Sequence, residues 1–133
     1  MILLDTHVLI WVAESHPRVG RRAARLLTRS LRADALGVAA VSFWELAMLA
    51  AKRRIVLQMS PRTLRDSVLA QGIRELALDG ATCLLAGELP GLHGDPADRM
   101  IVATAIASDA ILVTADEALL GWDGSVRMVD ARQ

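Results

Sequence analysis

Four acids in this chain stand where side chains can do chemistry as well as cap helices. Asp5 directly follows the apolar run Ile2-Leu3-Leu4, and Asp116 comes one residue after Ile111-Leu112-Val113-Thr114. Glu45 lies in the stretch VSFWELA, and Asp98 in HGDPADRMIVATA. Carboxylates brought to one place repel one another and raise one another's pKa unless a cation neutralises them. Oxygen ligands with little His or Cys suit Mg²⁺ or Mn²⁺, which keep several waters and are completed by substrate phosphate. The chemistry that follows is phosphodiester hydrolysis of a polynucleotide by in-line attack of water, with one ion, or two about 3.5–4 Å apart. The hydroxyls of Thr6, Ser42 and Thr114 stand beside these acids and can orient carboxylates or water on the metal.

Each acid also has an ordinary reading. Asp5 and Asp116 can cap the helices that follow them, Glu45 can be the acid of a capping box opened by Ser42, and Asp98 can favour a helix N-terminus. Asp95 is the better cap of its helix, because Pro96 follows it at the first helical position. Asp98 is then free of that duty and faces outward.

The elements that must position these residues alternate. Ile2–Leu4 reads as a strand, followed by a helix through Val8, Leu9, Ile10 and Val12. Pro17 opens a second helix to about Arg32, apolar on one side and carrying Arg18, Arg22, Arg25, Arg29 and Arg32 on the other. A strand over 36–41 leads to a helix capped by Ser42, and Ser60-Pro61 starts another to about Gln71-Gly72. A strand over 73–78, a short helix from Asp79 to about Gly87, a Pro- and Gly-rich loop over 89–94 and a helix from Asp95-Pro96 to about Ser108 come next. A buried strand over 111–114, a short helix over 116–120 and a strand over 126–129 close the chain. Strands alternating with helices give an α/β domain whose mainly parallel sheet is covered on both faces. In such a sheet the functional crevice lies beyond the carboxyl ends of the strands, where Asp5 and Asp116 both fall.

A chain of 133 residues fits one domain over 1–133 and buries roughly 68% of its unfolded surface on folding. The residues AVILMFWYC make up 53% of it, an apolar excess part of which is available to a partner. The longest uncharged run, Ala35 to Trp44, has ten residues where a membrane span needs about 20, so a cytoplasmic protein with no membrane contact is expected. The lone Cys83 excludes an internal disulfide and a multi-cysteine metal site. Net charge is zero, yet residues 18–74 carry a local balance of +9 while residues 75–133 hold ten acids against three arginines. That asymmetry suits a polyanion lying across metal-loaded carboxylates, and equally two solvated faces.

LLDTHVLIW, VSFWELA, HGDPADRMIVATA and LVTADEAL, in this order along the whole chain, resemble the PIN-domain ribonucleases, most closely the VapC toxins of bacterial toxin–antitoxin pairs. The resemblance implies a three-layer α/β/α fold, Mg²⁺- or Mn²⁺-dependent endoribonuclease activity, a homodimer, and a VapB-like antitoxin whose C-terminal segment fills the groove. The family's acidic constellation falls on Asp5, Glu45, Asp98 and Asp116, with Asp5, Asp98 and Asp116 as metal ligands and Glu45 acting through water or as base.

Other residues are weighed beside these. His7, His16 and His93 are candidate bases, although a metal already activates its water. Arg22, Arg25 and Arg99, together with Trp11 and Trp44, are candidate contacts to RNA or antitoxin, the alternatives being a solvated helix face, a surface ion pair and core packing. An aspartyl-phosphate phosphatase would want an acid at position 7, which is His, and a receiver domain a lysine after a late strand, where none stands. The remaining alternative is a catalytically weak module that binds nucleic acid and is neutralised by an antitoxin.

Overall fold

A computed structural model describes residues 1–133. The elements run β1 (Ile2–Leu4), α1 (Thr6–Ala13), α2 (Arg21–Arg32), β2 (Leu36–Ala39), α3 (Ala40–Ala51), α4 (Pro61–Ala70), β3 (Arg74–Leu76), α5 (Gly80–Glu88), α6 (Pro96–Ala107), β4 (Ile111–Thr114), α7 (Glu117–Leu120) and β5 (Met128–Asp130). The five strands form one sheet in the order β3-β2-β1-β4-β5, with every pair parallel. The strand order reverses between β1 and β4, so the crevice expected of an open parallel sheet opens there.

Strand alternation divides the core in two. Leu3, at the centre of β1, joins Ala39, Ile101, Val102, Ala105 and Leu112 on one face of the sheet. Its neighbours Ile2 and Leu4 join Val8, Leu9, Leu27, Leu46, Leu64 and Val68 on the other. All three β1 residues are therefore buried, as a strand covered on both faces requires.

Two boundaries differ from the sequence reading in ways that matter for the site. α2 begins at Arg21, not Pro17, because residues 14–16 close α1 and the chain must turn before Gly20. The Ser15 amide donates to Val12 O and the His16 amide to Trp11 O, a paired helix-end motif with Ser15 left-handed at φ 53°. Gly20 then packs against the C-terminal residues so closely that a Cβ would stand 2.2 Å from the Gln133 carbonyl carbon.

α3 begins at Ala40, so Ser42 lies inside its first turn instead of capping it. Glu45 is consequently no capping-box acid, and both side chains are released for the site. β2, β3 and β5 are also shorter than expected, and β5 ends later, at Asp130. The caps read at Ser60, Asp79, Asp95 and Asp116 each accept a backbone amide as expected.

Candidate active site

At the carboxyl edge of the sheet lies a cleft of about 590 Å³ into which five carboxylates point: Asp5, Glu45, Asp95, Asp98 and Asp116. Each comes from a different local context. Asp5 ends the central strand and caps α1, its Oδ1 accepting the Thr6 amide at 2.7 Å. Its Oδ2 accepts from Thr114 Oγ1 at 2.6 Å, and that hydroxyl in turn accepts the Asp116 amide at 3.1 Å. The last residue of β4 therefore fixes both strand-end acids at once. Thr6 Oγ1 donates to Ser42 Oγ at 3.0 Å, tying the start of α1 to the first turn of α3, one turn before Glu45. Thr6, Ser42 and Thr114 are fully buried behind the acids.

On the opposite wall α6 supplies Asp95 and Asp98. Asp95 Oδ1 accepts the Asp98 amide at 3.1 Å, the capping bond expected of it. Asp98 is not turned outward to solvent: it is 9% exposed and faces the cleft. Burial pushes its carboxyl up to about 8, with Asp5, Asp95, Asp116 and Glu45 adding repulsion. Burial also raises Asp5, against the lowering by its bonds from Thr114 and Thr6, and burial raises Glu45.

His93, in the loop before α6, completes this wall. The Asp95 amide donates to its Nδ1 at 3.2 Å, which leaves the proton of the neutral ring on Nε2. That nitrogen is buried without a hydrogen-bond partner and stands 3.4 Å from Asp98 Oδ2. His93 Nε2 faces the Asp98 carboxylate, as a donor to it when protonated and as a further ligand atom when not.

The donor set fits a hard divalent cation. Two overlapping groups, Glu45 with Asp95 and Asp98, and His93 with Asp98 and Asp116, bring their ligand atoms within 4.8 Å of one another. Both contain Asp98, and the carboxylates whose repulsion adds to the effect of burial on its proton are those a cation would neutralise.

The chain matches the PIN domain family model over residues 2–121. It belongs to the PIN domain family. It is 38% identical over 119 residues to Ribonuclease VapC22 of Mycobacterium tuberculosis, an alignment spanning 89% of this chain and 88% of that relative. Among solved structures it resembles VapBC2 from Rickettsia felis bound to a DNA fragment from their promoter (TM-score 0.72, 19% identity, 97% and 98% of the two chains). It also resembles DNA-bound VapBC from Salmonella typhimurium (TM-score 0.69, 18% identity, 98% of each chain). At these identities the likeness is one of fold, and the parallel sheet flanked by helices is that of a PIN domain.

The remaining expected residues of this PIN domain divide. Trp11 lines the cleft, with the Arg18 guanidinium 5.7 Å over its ring and His16 stacked at 6.0 Å. Trp44 lies outside it, 58% exposed on an apolar surface with Val41, Leu78 and Met100. Arg22 and Arg25 are also outside, on the solvent face of α2.

Arg99 is neither a surface ion pair nor free to meet phosphate. Its guanidinium donates to the carbonyls of Ala86, Gly87, Leu89, Leu92 and His93, clasping the end of α5 and the loop that carries His93. Its place after Asp98 suggested ligand contact; the uncapped carbonyls of α5 claim it instead.

Arg18, the first of the arginine stripe expected to meet RNA phosphates or antitoxin, lines the cleft, and so do Asp95 and Arg132, to which the sequence reading gave no site role. Asp95 was hidden by its real duty as a cap. Arg132 lies near the C-terminus, bonded to Asp130 and Glu117, and nothing local in sequence marks it.

Proposed function

We propose that this PIN domain, occupying 1–133, is a Mg²⁺- or Mn²⁺-dependent endoribonuclease and the toxin of a toxin–antitoxin pair. The observation that carries the proposal is the convergence of Asp5, Glu45, Asp98 and Asp116, from four separate segments, on one cleft of a chain 38% identical to a ribonuclease. Asp98 and Asp116, whose ligand atoms come within 4.8 Å, would hold the metal together with Asp5 across the cleft, and Asp95, grouped with Asp98 and Glu45, is close enough to join them. A bound ion would supply an activated water and neutralise the leaving oxygen.

The chain's own residues do the positioning. Thr6 and Thr114 fix the two oxygens of Asp5, so that it meets a cation without reorganising. Glu45 faces the same space from α3 and accepts the proton of the attacking water. His93 Nε2 stands 3.4 Å from Asp98 Oδ2 and is placed to donate to it once Asp98 is charged. Arg18, stacked on Trp11 at the rim, meets the substrate backbone.

An antitoxin partner is supported by the likeness to VapBC complexes, and we propose that its C-terminal segment fills this cleft. The exposed apolar surface around Trp44 is offered to protein and not to RNA phosphate, and self-association into a homodimer would cover such a face. No helix is long and apolar enough to cross a membrane, and the proposed location is the cytoplasm, where the RNA substrate is.

The test is cleavage of a panel of labelled RNAs with Mg²⁺, with Mn²⁺ and with EDTA, beside Asp5→Asn and Asp98→Asn proteins of verified fold. Cleavage that requires metal and is lost in both variants is expected. A wild-type protein that binds no metal and cuts nothing in the panel would leave the weak nucleic-acid-binding module as the better account.

A further inference from the structure

We infer that the solvent face of α2 is a track for the phosphates of single-stranded RNA, leading away from the cleft. The inference rests on the ribonuclease reading above and says how its substrate is held beyond the scissile bond.

α2 carries five arginines and no acid. Arg22, Arg25, Arg29 and Arg32 recur at three- and four-residue spacing and so share one face, stepping about 4.5–6 Å along the axis. All four are exposed, and the nearby acids are engaged elsewhere: Asp34 with Arg74, Glu75 with Arg65, Asp130 and Glu117 with Arg132.

Local physics opposes this arrangement. Like charges one turn apart weaken a helix, and Arg21 and Arg22 sit at the N-terminal end, where the dipole disfavours cations, while only Arg29 and Arg32 in the last turn are favoured by it. The N-cap is Gly20, which offers no side-chain acceptor. A polyanion along this face reverses each of these unfavourable interactions.

The helix is placed to receive a strand emerging from the site. The Gly20 amide donates to Ala131 O at 2.9 Å and the Arg22 amide to Gln133 O at 2.8 Å, so α2 starts beside Arg132 and three residues after Arg18, both of which line the cleft. Its other end leads into β2, at the opposite edge of the sheet. Arg22 to Arg32 therefore spans about 15 Å from the cleft rim down the flank.

The chemistry of the face favours nucleic acid over a protein segment. Between the guanidiniums the surface offers only Ala24 and Thr28, with no aromatic or large aliphatic anchor. Protein interfaces are built around such anchors and are depleted of charge at their centre, whereas phosphate is what a row of guanidiniums recognises.

The test uses an Arg25→Gln/Arg29→Gln/Arg32→Gln protein, which leaves Arg18 and Arg132 in the cleft. Binding of a 16-nucleotide single-stranded RNA is followed by anisotropy in EDTA across a salt series, so the readout does not depend on cleavage. The triple variant is expected to bind about tenfold more weakly, with a slope of log K against log salt shallower by about 2, roughly 0.7 for each of three phosphates. In metal, KM for the 16-mer should rise with kcat unchanged. An unchanged slope, or a wild type that does not bind the 16-mer, overturns the track and leaves the face to an acidic protein partner. A flattened slope in a protein that cuts nothing keeps the track and removes the ribonuclease reading.

Discussion

The two walls of the acidic cleft are built by opposite means. Asp5 ends a strand buried on both faces, and each of its oxygens accepts a short bond, from Thr6 N at 2.7 Å and Thr114 Oγ1 at 2.6 Å. Asp98 sits in the first turn of α6 behind a loop, and its carboxylate accepts no hydrogen bond, with His93 Nε2 at 3.4 Å and other carboxylates around it. Burial raises both acids, yet on Asp5 the two bonds oppose the rise, while on Asp98 the neighbouring carboxylates add to it and carry it to about 8. One wall is preorganised by hydrogen bonds from the strand edge. The other is a charge store that a cation would discharge.

Removing the fixed wall should cost most. Asp5→Asn keeps the shape of the group and the bond from Thr114 but removes the charge, and RNA cleavage should fall by at least about a hundredfold with the fold intact by circular dichroism. Thr114→Val deletes the donor to Asp5 Oδ2 and the acceptor of the Asp116 amide. A 10–100-fold weaker Mn²⁺ affinity by calorimetry is expected, and unchanged affinity would show that Asp5 needs no fixing.

The Asp98 wall should respond less and more selectively. His93→Asn can still accept the Asp95 amide but cannot reach Asp98, whereas His93→Gln places a donor near the Nε2 position. Mn²⁺ affinity should drop about tenfold in the first and recover within about threefold in the second. Equal losses in both would make His93 a loop residue only.

Acidity reports chiefly on the Asp98 wall. Asp98 keeps its proton to about 8 in the folded protein and loses it near 3.9 when unfolded, so metal-free protein should lose stability as pH rises from about 4 to about 8. Thermal midpoints across that range should decline in wild type, flatten in Asp98→Asn, and recover on adding Mn²⁺ at pH 8. The smallest effect lies away from the cleft: Ser15→Gly relieves a left-handed residue at φ 53° and should stabilise by about 1 kcal/mol in urea unfolding, leaving cleavage unchanged.

Arg99 and Ser42 mark where local reading misleads. A hydroxyl followed three residues later by an acid is a capping box only if the helix starts there, and β2 gives way to α3 two residues earlier. An arginine beside a candidate ligand looks available until five carbonyls from α5 and its loop are seen to surround it.

The alternation of strands and helices, the caps at Ser60, Asp79, Asp95 and Asp116, and the placing of Asp5 and Asp116 at strand ends were all determined by the sequence, because hydrophobic period, proline and cap chemistry act over a few residues. The strand order that sets β4 beside β1 was decided only by tertiary packing, and with it the meeting of Thr114 with Asp5 across 109 residues of chain, of Thr6 with Ser42, and of Arg132 with the cleft. Those contacts depend on which buried faces pack together, and no local preference encodes that.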